Sequence, residues 1–125
     1  MQLILLIGIG GAIGAIMRHF MGNWMHSLLG NSSFPYGTLA INVLGCLLIG
    51  ALIGISETRH ELSSESRAFL MVGLLGGFTT FSTFGYETMS LIRDGSLIAA
   101  ASNATVHIVF GLAAVWIGYA ASQHT

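Results

Sequence analysis

The sequence predicts an all-α integral membrane protein of four transmembrane helices, with a break in the middle of the third. Three observations predict it. Only 7% of the 125 residues are charged while 54% are hydrophobic, against roughly 25% charged in a soluble domain. Charge-free runs cover residues 1–17, 19–56, 68–86 and 95–125. Near the middle of the third run, glycines and hydroxyl residues crowd into Gly76-Gly77-Phe78-Thr79-Thr80-Phe81-Ser82-Thr83-Phe84-Gly85-Tyr86-Glu87.

The same composition excludes other classes. A soluble globule of this size could not cover its surface with so few charges. Four scattered arginines and no lysine make no electrostatic footprint for nucleic acid. The apolar content excludes intrinsic disorder. Cys46 has no second cysteine to pair with, so no disulfide framework or CxxC motif exists. Nucleophile–base pairs, phosphate loops and dinucleotide fingerprints are absent, which argues against an enzyme. The length allows one domain at most, and Met1-Gln2 opens no basic region of the kind a secretory signal needs.

Each helix follows from about 20 apolar residues being needed to span a bilayer. The first is expected over about residues 3–24. The run 19–56 is too long for one span, and Asn31-Ser32-Ser33-Phe34-Pro35-Tyr36-Gly37 divides it. Pro35, the one proline, suits the start of a second helix, expected over about 37–56. A charged connection, 57–66, carries Glu57, Arg59, His60, Glu61 and Glu65. The third helix is expected over about 67–92, a tight turn at Arg93-Asp94-Gly95, and the fourth over about 96–121.

Orientation is undetermined by charge. Arginine asymmetry normally selects the cytoplasmic side, yet four spans place Arg59 and Arg67 on one side and Arg18 and Arg93 on the other. Either a weak signal in the first helix decides, or the chain inserts both ways and pairs antiparallel. Glycines four apart, at Gly10/Gly14, Gly50/Gly54 and Gly73/Gly77, let helices approach closely in lipid. They serve either packing inside one subunit or an oligomer interface.

Polar residues inside spans need a reason. The Gly-Gly pair and the hydroxyls weaken the third helix, and irregular backbone at membrane depth is tolerated only against protein or water. Broken helices can offer carbonyls to a cation and N–H groups to an anion; the alternative is a kinked helix with its hydroxyls bonded one turn back. Phe81 and Phe84 share a face that Glu87 continues. Their positive ring edges would suit a small anion, although helical aromatic spacing also serves plain packing. Asn42 must be hydrogen-bonded within protein or face a pore. Glu87 and Arg18 are the ionisable residues nearest span interiors, and such residues are functional candidates. The structural alternatives are a bond to Tyr86 or a loop for Glu87 and an interfacial anchor for Arg18. His107 lacks a partner at metal-site spacing and reads as an interhelical hydrogen-bonding group.

Together these motifs resemble the CrcB/Fluc family of fluoride channels. Gly10-Gly11-Ala12-Ile13-Gly14-Ala15-Ile16-Met17-Arg18 is similar to its first-helix GGxxGxxxR, Gly37-Thr38-Leu39-Ala40-Ile41-Asn42-Val43-Leu44-Gly45 to its GTLxxNxxG, and Gly76 through Phe84 to its GGxTTFSTF. The resemblance covers nearly the whole chain. It implies an antiparallel, dual-topology homodimer in the bacterial inner membrane, multi-pass in its lipid bilayer, with two anion pores. It implies that Phe81 and Phe84 line the pore with ring edges, that Asn42 donates to fluoride, and that Ser82 and Thr83 form a hydroxyl rail. Glu87 follows at the family position on the anion pathway, and Arg18 would be a vestibule residue. The backbone carbonyls of Gly76 and Thr79, two from each subunit, would hold a structural Na⁺ at the dimer centre. The implied activity is electrodiffusive fluoride export that lowers toxicity. Phe110-Gly111 departs from the family's usual Gly-Ser, Phe78 replaces its usual Leu, His19 stands where an aromatic often follows the arginine, and His107 stands at a position expected to vary. Two rivals remain. A small multidrug-type proton-coupled transporter would need a carboxylate in the first helix, which is absent, and a non-transporting scaffold subunit would not need the polar break.

Overall fold

A computed structural model describes residues 1–30, 32–60 and 62–124. Asn31, expected in the first connection, Glu61, expected in the second, and the terminal Thr125 lie outside the described residues. Every described element is helical. These are α1 (Gln2–Leu29), α2 (Tyr36–Arg59), α3 (Ser64–Arg67), a π-helical segment (Ala68–Leu75), α4 (Gly76–Phe78), α5 (Phe81–Arg93) and α6 (Leu97–Gln123). Among the described residues, four stretches are long and apolar enough to cross a membrane: Gln2–Leu29, Tyr36–Arg59, Ser64–Arg93 and Leu97–Gln123.

Local chemistry sets the helix ends. The 28 residues of α1 reach about 42 Å at 1.5 Å per residue, past the roughly 30 Å of bilayer hydrocarbon. The helix continues beyond residue 24 because nothing in Met25–Leu29 opposes it. It stops at Gly30, whose φ of 71° only glycine adopts freely. Pro35 is the N-cap of α2, where a missing N–H costs nothing. At its other end α2 continues to Arg59 and ends at a left-handed His60. Glu57 and Arg59 are therefore helical, and the next helix starts at Ser64, so the second connection is shorter than expected at both ends. Ser63 then caps α3 by accepting from the Ser66 N–H at 3.1 Å. The turn into α6 is a Schellman motif. Gly95 has φ 82°, Ser96 N–H donates to Leu91 O at 2.8 Å and Gly95 N–H to Ile92 O at 3.0 Å.

Two helix pairs make the bundle: α1 lies along the third span and α2 along α6. Glycine makes both approaches possible. A Cβ on Gly10 would stand 2.6 Å from the Phe69 carbonyl oxygen, one on Gly73 2.8 Å from that of Ile7, and one on Gly77 2.5 Å from that of Gly11. On the other seam a Cβ on Gly54 would meet the Tyr119 carbonyl at 2.8 Å, and Gly50 abuts the Val115 backbone. All three glycine pairs are thus occupied within one chain, because the backbones they expose are those of neighbouring spans. Large apolar side chains such as Ile4, Phe20, Leu112 and Trp116 face outward, as lipid rather than water requires.

Candidate functional site

The site is built where the third span leaves helical geometry. Thr79 and Thr80 are both extended, at φ −85°, ψ 160° and φ −153°, ψ 117°. Upstream, the Thr79 N–H and hydroxyl both donate to Leu75 O, at 3.0 and 2.9 Å. Downstream, Thr80 is the N-cap of α5. Its Oγ1 accepts from Thr83 N–H at 3.2 Å, donates to Thr83 Oγ1 at 3.1 Å and lies 3.3 Å from Ser82 Oγ. A helix end with partial negative charge therefore faces a helix start with partial positive charge across two residues.

Asn42, on α2, joins the two. Its Oδ1 accepts from Thr80 N–H at 2.9 Å, and its Nδ2 donates to Thr80 O at 3.1 Å. Both backbone groups of an extended residue are thereby satisfied inside the protein, which membrane depth demands. The same Nδ2 lies 3.3 Å from His107 Nε2 on α6. Because Thr80 N–H goes to Asn42, it is withheld from the carbonyl of Gly76, its partner had the helix continued.

Aromatic rings border this cluster. Phe81 and Phe84 have centroids 5.6 Å apart at 44°, and Phe84 lies 4.3 Å from the His107 ring at 49°. Phe84 is half-buried, whereas Phe81 is 83% exposed. Asn42, Thr79, Thr80, Phe81, Phe84 and His107 line an open groove of about 420 Å³, with Gly76 and Cys46 also on its wall.

Of the residues singled out by sequence, Asn42, Gly76, Thr79, Phe81 and Phe84 share this groove, and Ser82 and Thr83 adjoin it through Thr80. Glu87 does not line it. It lines a separate cavity of about 490 Å³ with Met25, His26, Phe34, Tyr36 and Asp94, where its Oε1 is buried without a hydrogen-bond partner among the described residues. Arg18, half-buried, lines neither cavity and lies well inside α1. Gly111 is buried, and a Cβ there would make an ordinary 3.6 Å contact with Cys46 Sγ.

Sequence reasoning missed the hub role of Thr80 and the extended network behind His107. Thr80 was findable, since threonine is a favoured N-cap residue and it stands immediately before the apolar positions that restart the helix. The network was not. His107 Nδ1 lies 3.1 Å from Asn103 O, while the fully buried Asn103 donates from Nδ2 to Thr88 Oγ1 at 2.9 Å.

Fold and site together define a multi-spanning membrane protein. An amide of its second span is hydrogen-bonded to an extended residue of its third, beside a groove lined by Phe81 and Phe84. The chain belongs to the CrcB family, whose model, "CrcB-like protein, Camphor Resistance (CrcB)", matches residues 5–119. It is 40% identical over 124 residues to the fluoride-specific ion channel FluC of Geotalea daltonii, covering 99% of each chain. It is 49% identical over 118 residues to the protein of that name from Chloroflexus aurantiacus, covering 94% of this chain and 93% of the relative. A Methanosarcina barkeri relative, fluoride-specific ion channel FluC 3, is 42% identical over 118 residues, 94% and 88% of the two chains.

Proposed function

We propose that this protein is a fluoride-selective channel that lets fluoride leave the cytoplasm by electrodiffusion and so lowers its toxicity. One observation carries the site assignment. Beside the extended Thr79–Thr80 backbone, in the middle of a span, Phe81, Ser82 and Thr83 all face outward from the single chain. Hydrocarbon would offer those hydroxyls nothing beyond their contacts with Thr80 Oγ1; a second subunit and an ion path between the subunits would use their remaining capacity. The even distribution of arginines favours a partner of opposite orientation, so the working unit is an antiparallel homodimer in the bacterial inner membrane.

Fluoride is small and strongly hydrated, so its water shell must be replaced by close donors at several weak sites. In this reading the ring edges of Phe81 and Phe84 and the hydroxyls of Ser82 and Thr83 are those donors, and Asn42 joins them when one of its two amide hydrogens leaves Thr80 O or His107 Nε2 for the ion. Glu87 and Arg18 shape the approaches from their separate positions. Larger chloride fits a dehydrated ring-lined path poorly.

The third-span interruption also suits a structural sodium ion. The Gly76 carbonyl lacks its helical donor, and Thr79 is extended, so both present oxygens of the hard, neutral kind Na⁺ takes. Two such carbonyls from each subunit would hold it, supplying a fixed positive charge that braces the dimer centre.

Reconstitution tests the reading. Liposomes carrying the purified protein should release fluoride to an ion-selective electrode and retain chloride; equal release of both, or none, contradicts it. Cysteine labelling at either membrane face should find both orientations, and a single orientation contradicts the antiparallel dimer.

A further inference from the structure

Every polar atom of the Asn42 amide has an address. Oδ1 meets Thr80 N–H, and Nδ2 serves both Thr80 O and His107 Nε2. The Thr80 backbone permits only this orientation, because the reversed amide would set NH₂ against N–H and oxygen against oxygen. With NH₂ turned to the imidazole, Nε2 must be a bare acceptor. At the other side of the ring, Nδ1 lies 3.1 Å from Asn103 O. A carbonyl oxygen only accepts, so Nδ1 carries the hydrogen. Both neighbours therefore demand the same neutral tautomer.

The ring is also held in place. Phe84 covers it at 4.3 Å. Asn103 is 0% exposed, and its bond to Thr88 Oγ1 continues from that hydroxyl to Phe84 O at 2.8 Å. The network thus returns to the backbone of the residue whose tilted ring packs against His107.

We propose that His107 is a positioning residue for fluoride permeation. As an acceptor on α6 it holds the Asn42 amide against Thr80, and so fixes the extended backbone beside the ring-lined groove. This rests on the channel reading above, but its test separates from it. A residue that merely filled space would be replaced as well by leucine as by glutamine. An acceptor would not, because glutamine can offer Oε1 to Asn42 and leucine offers nothing.

The experiment uses the full-length protein purified and reconstituted as a wild type, His107→Leu, His107→Gln, Asn42→Ala and the His107→Leu/Asn42→Ala double variant. Fluoride flux should fall at least tenfold in His107→Leu and stay within about threefold of wild type in His107→Gln. Thermal unfolding should show each single variant lowering Tm, with the double variant no lower than Asn42→Ala, as coupled residues behave. Additive losses of Tm, wild-type flux in His107→Leu, or a glutamine variant as impaired as the leucine one would overturn the proposal. Should His107→Leu fail to assemble, nitrogen-15 spectra of the wild type, with His107 assigned by its loss in His107→Gln, decide the matter. A protonated Nδ1 with a bare Nε2 supports the assignment and the opposite tautomer ends it. A wild type that passes no fluoride defeats the channel reading alone, since the melting cycle and the spectra still report on His107.

Discussion

The side chain of Asn42 pairs with the backbone of Thr80 as a neighbouring β-strand would, accepting from its N–H at 2.9 Å and donating to its carbonyl at 3.1 Å. One amide, 38 residues away in sequence, thus supplies the acceptor that Thr80 N–H gives up where the third span leaves the helix.

Asn42→Asp tests that pairing. A carboxylate still accepts from Thr80 N–H, but its second oxygen faces Thr80 O and the His107 Nε2 acceptor with no hydrogen to offer. Leaving buried groups unmatched costs about 1–3 kcal/mol. The expected outcome is a lower Tm and fluoride flux near background in liposomes. Normal conduction would refute the assigned role.

Phe81→Ile and Phe84→Ile test the rings. Phe81 buries little within one chain, so its replacement should leave folding intact. Phe84→Ile loses the contact with His107 and should cost stability as well, about 1 kcal/mol by the usual worth of an aromatic pair. Both should reduce fluoride flux at least tenfold while size-exclusion chromatography shows an unchanged oligomer. Unaltered flux would remove the rings from the ion path.

Thr80→Val removes the hydroxyl that receives Thr83 N–H and contacts both neighbouring hydroxyls. Loss of an N-cap costs about 1 kcal/mol, so Tm should drop measurably and Thr80→Ser should restore it. Equal melting of the valine and serine variants would show that the cap contributes nothing.

Gly77→Ala tests the seam between α1 and the third span. Its Cβ would intrude to 2.5 Å on the Gly11 carbonyl, and overpacking of this kind costs about 1–3 kcal/mol. Gly8→Ala is the control, because among the described residues a Cβ there would meet nothing within 4 Å beyond its own stretch of helix. Circular-dichroism melts should separate the two, and equal melts would mean the seam yields.

The spans were legible because charge is so sparse that its positions mark where the chain can meet water. Pro35 and Gly95 announced their boundaries through backbone chemistry that acts locally. The far end of α1 was less legible, since Met25–Leu29 contains no residue that forbids helix and only the conformation of Gly30 stops it. The connection after α2 was overestimated for the same reason, charge at Glu57 and Arg59 being compatible with a helix that emerges from the membrane. At the site, residue types were readable but addresses were not. Asn42 announced that it needed partners, yet nothing local to residue 42 names Thr80 or His107. The glycine pairs announced close approach without saying to whom, and the fold shows that other spans of the same chain answer.

The π-helical stretch Ala68–Leu75 has a consequence of its own. Its wider i→i+5 turns hold more residues per revolution than an α-helix does, so the chain carries surplus length immediately upstream of Gly76. Tightening such a turn releases a residue's worth of slack. Insertions or deletions arising in this stretch during descent from a common ancestor would be absorbed there, sparing the phase of the glycines and rings beyond.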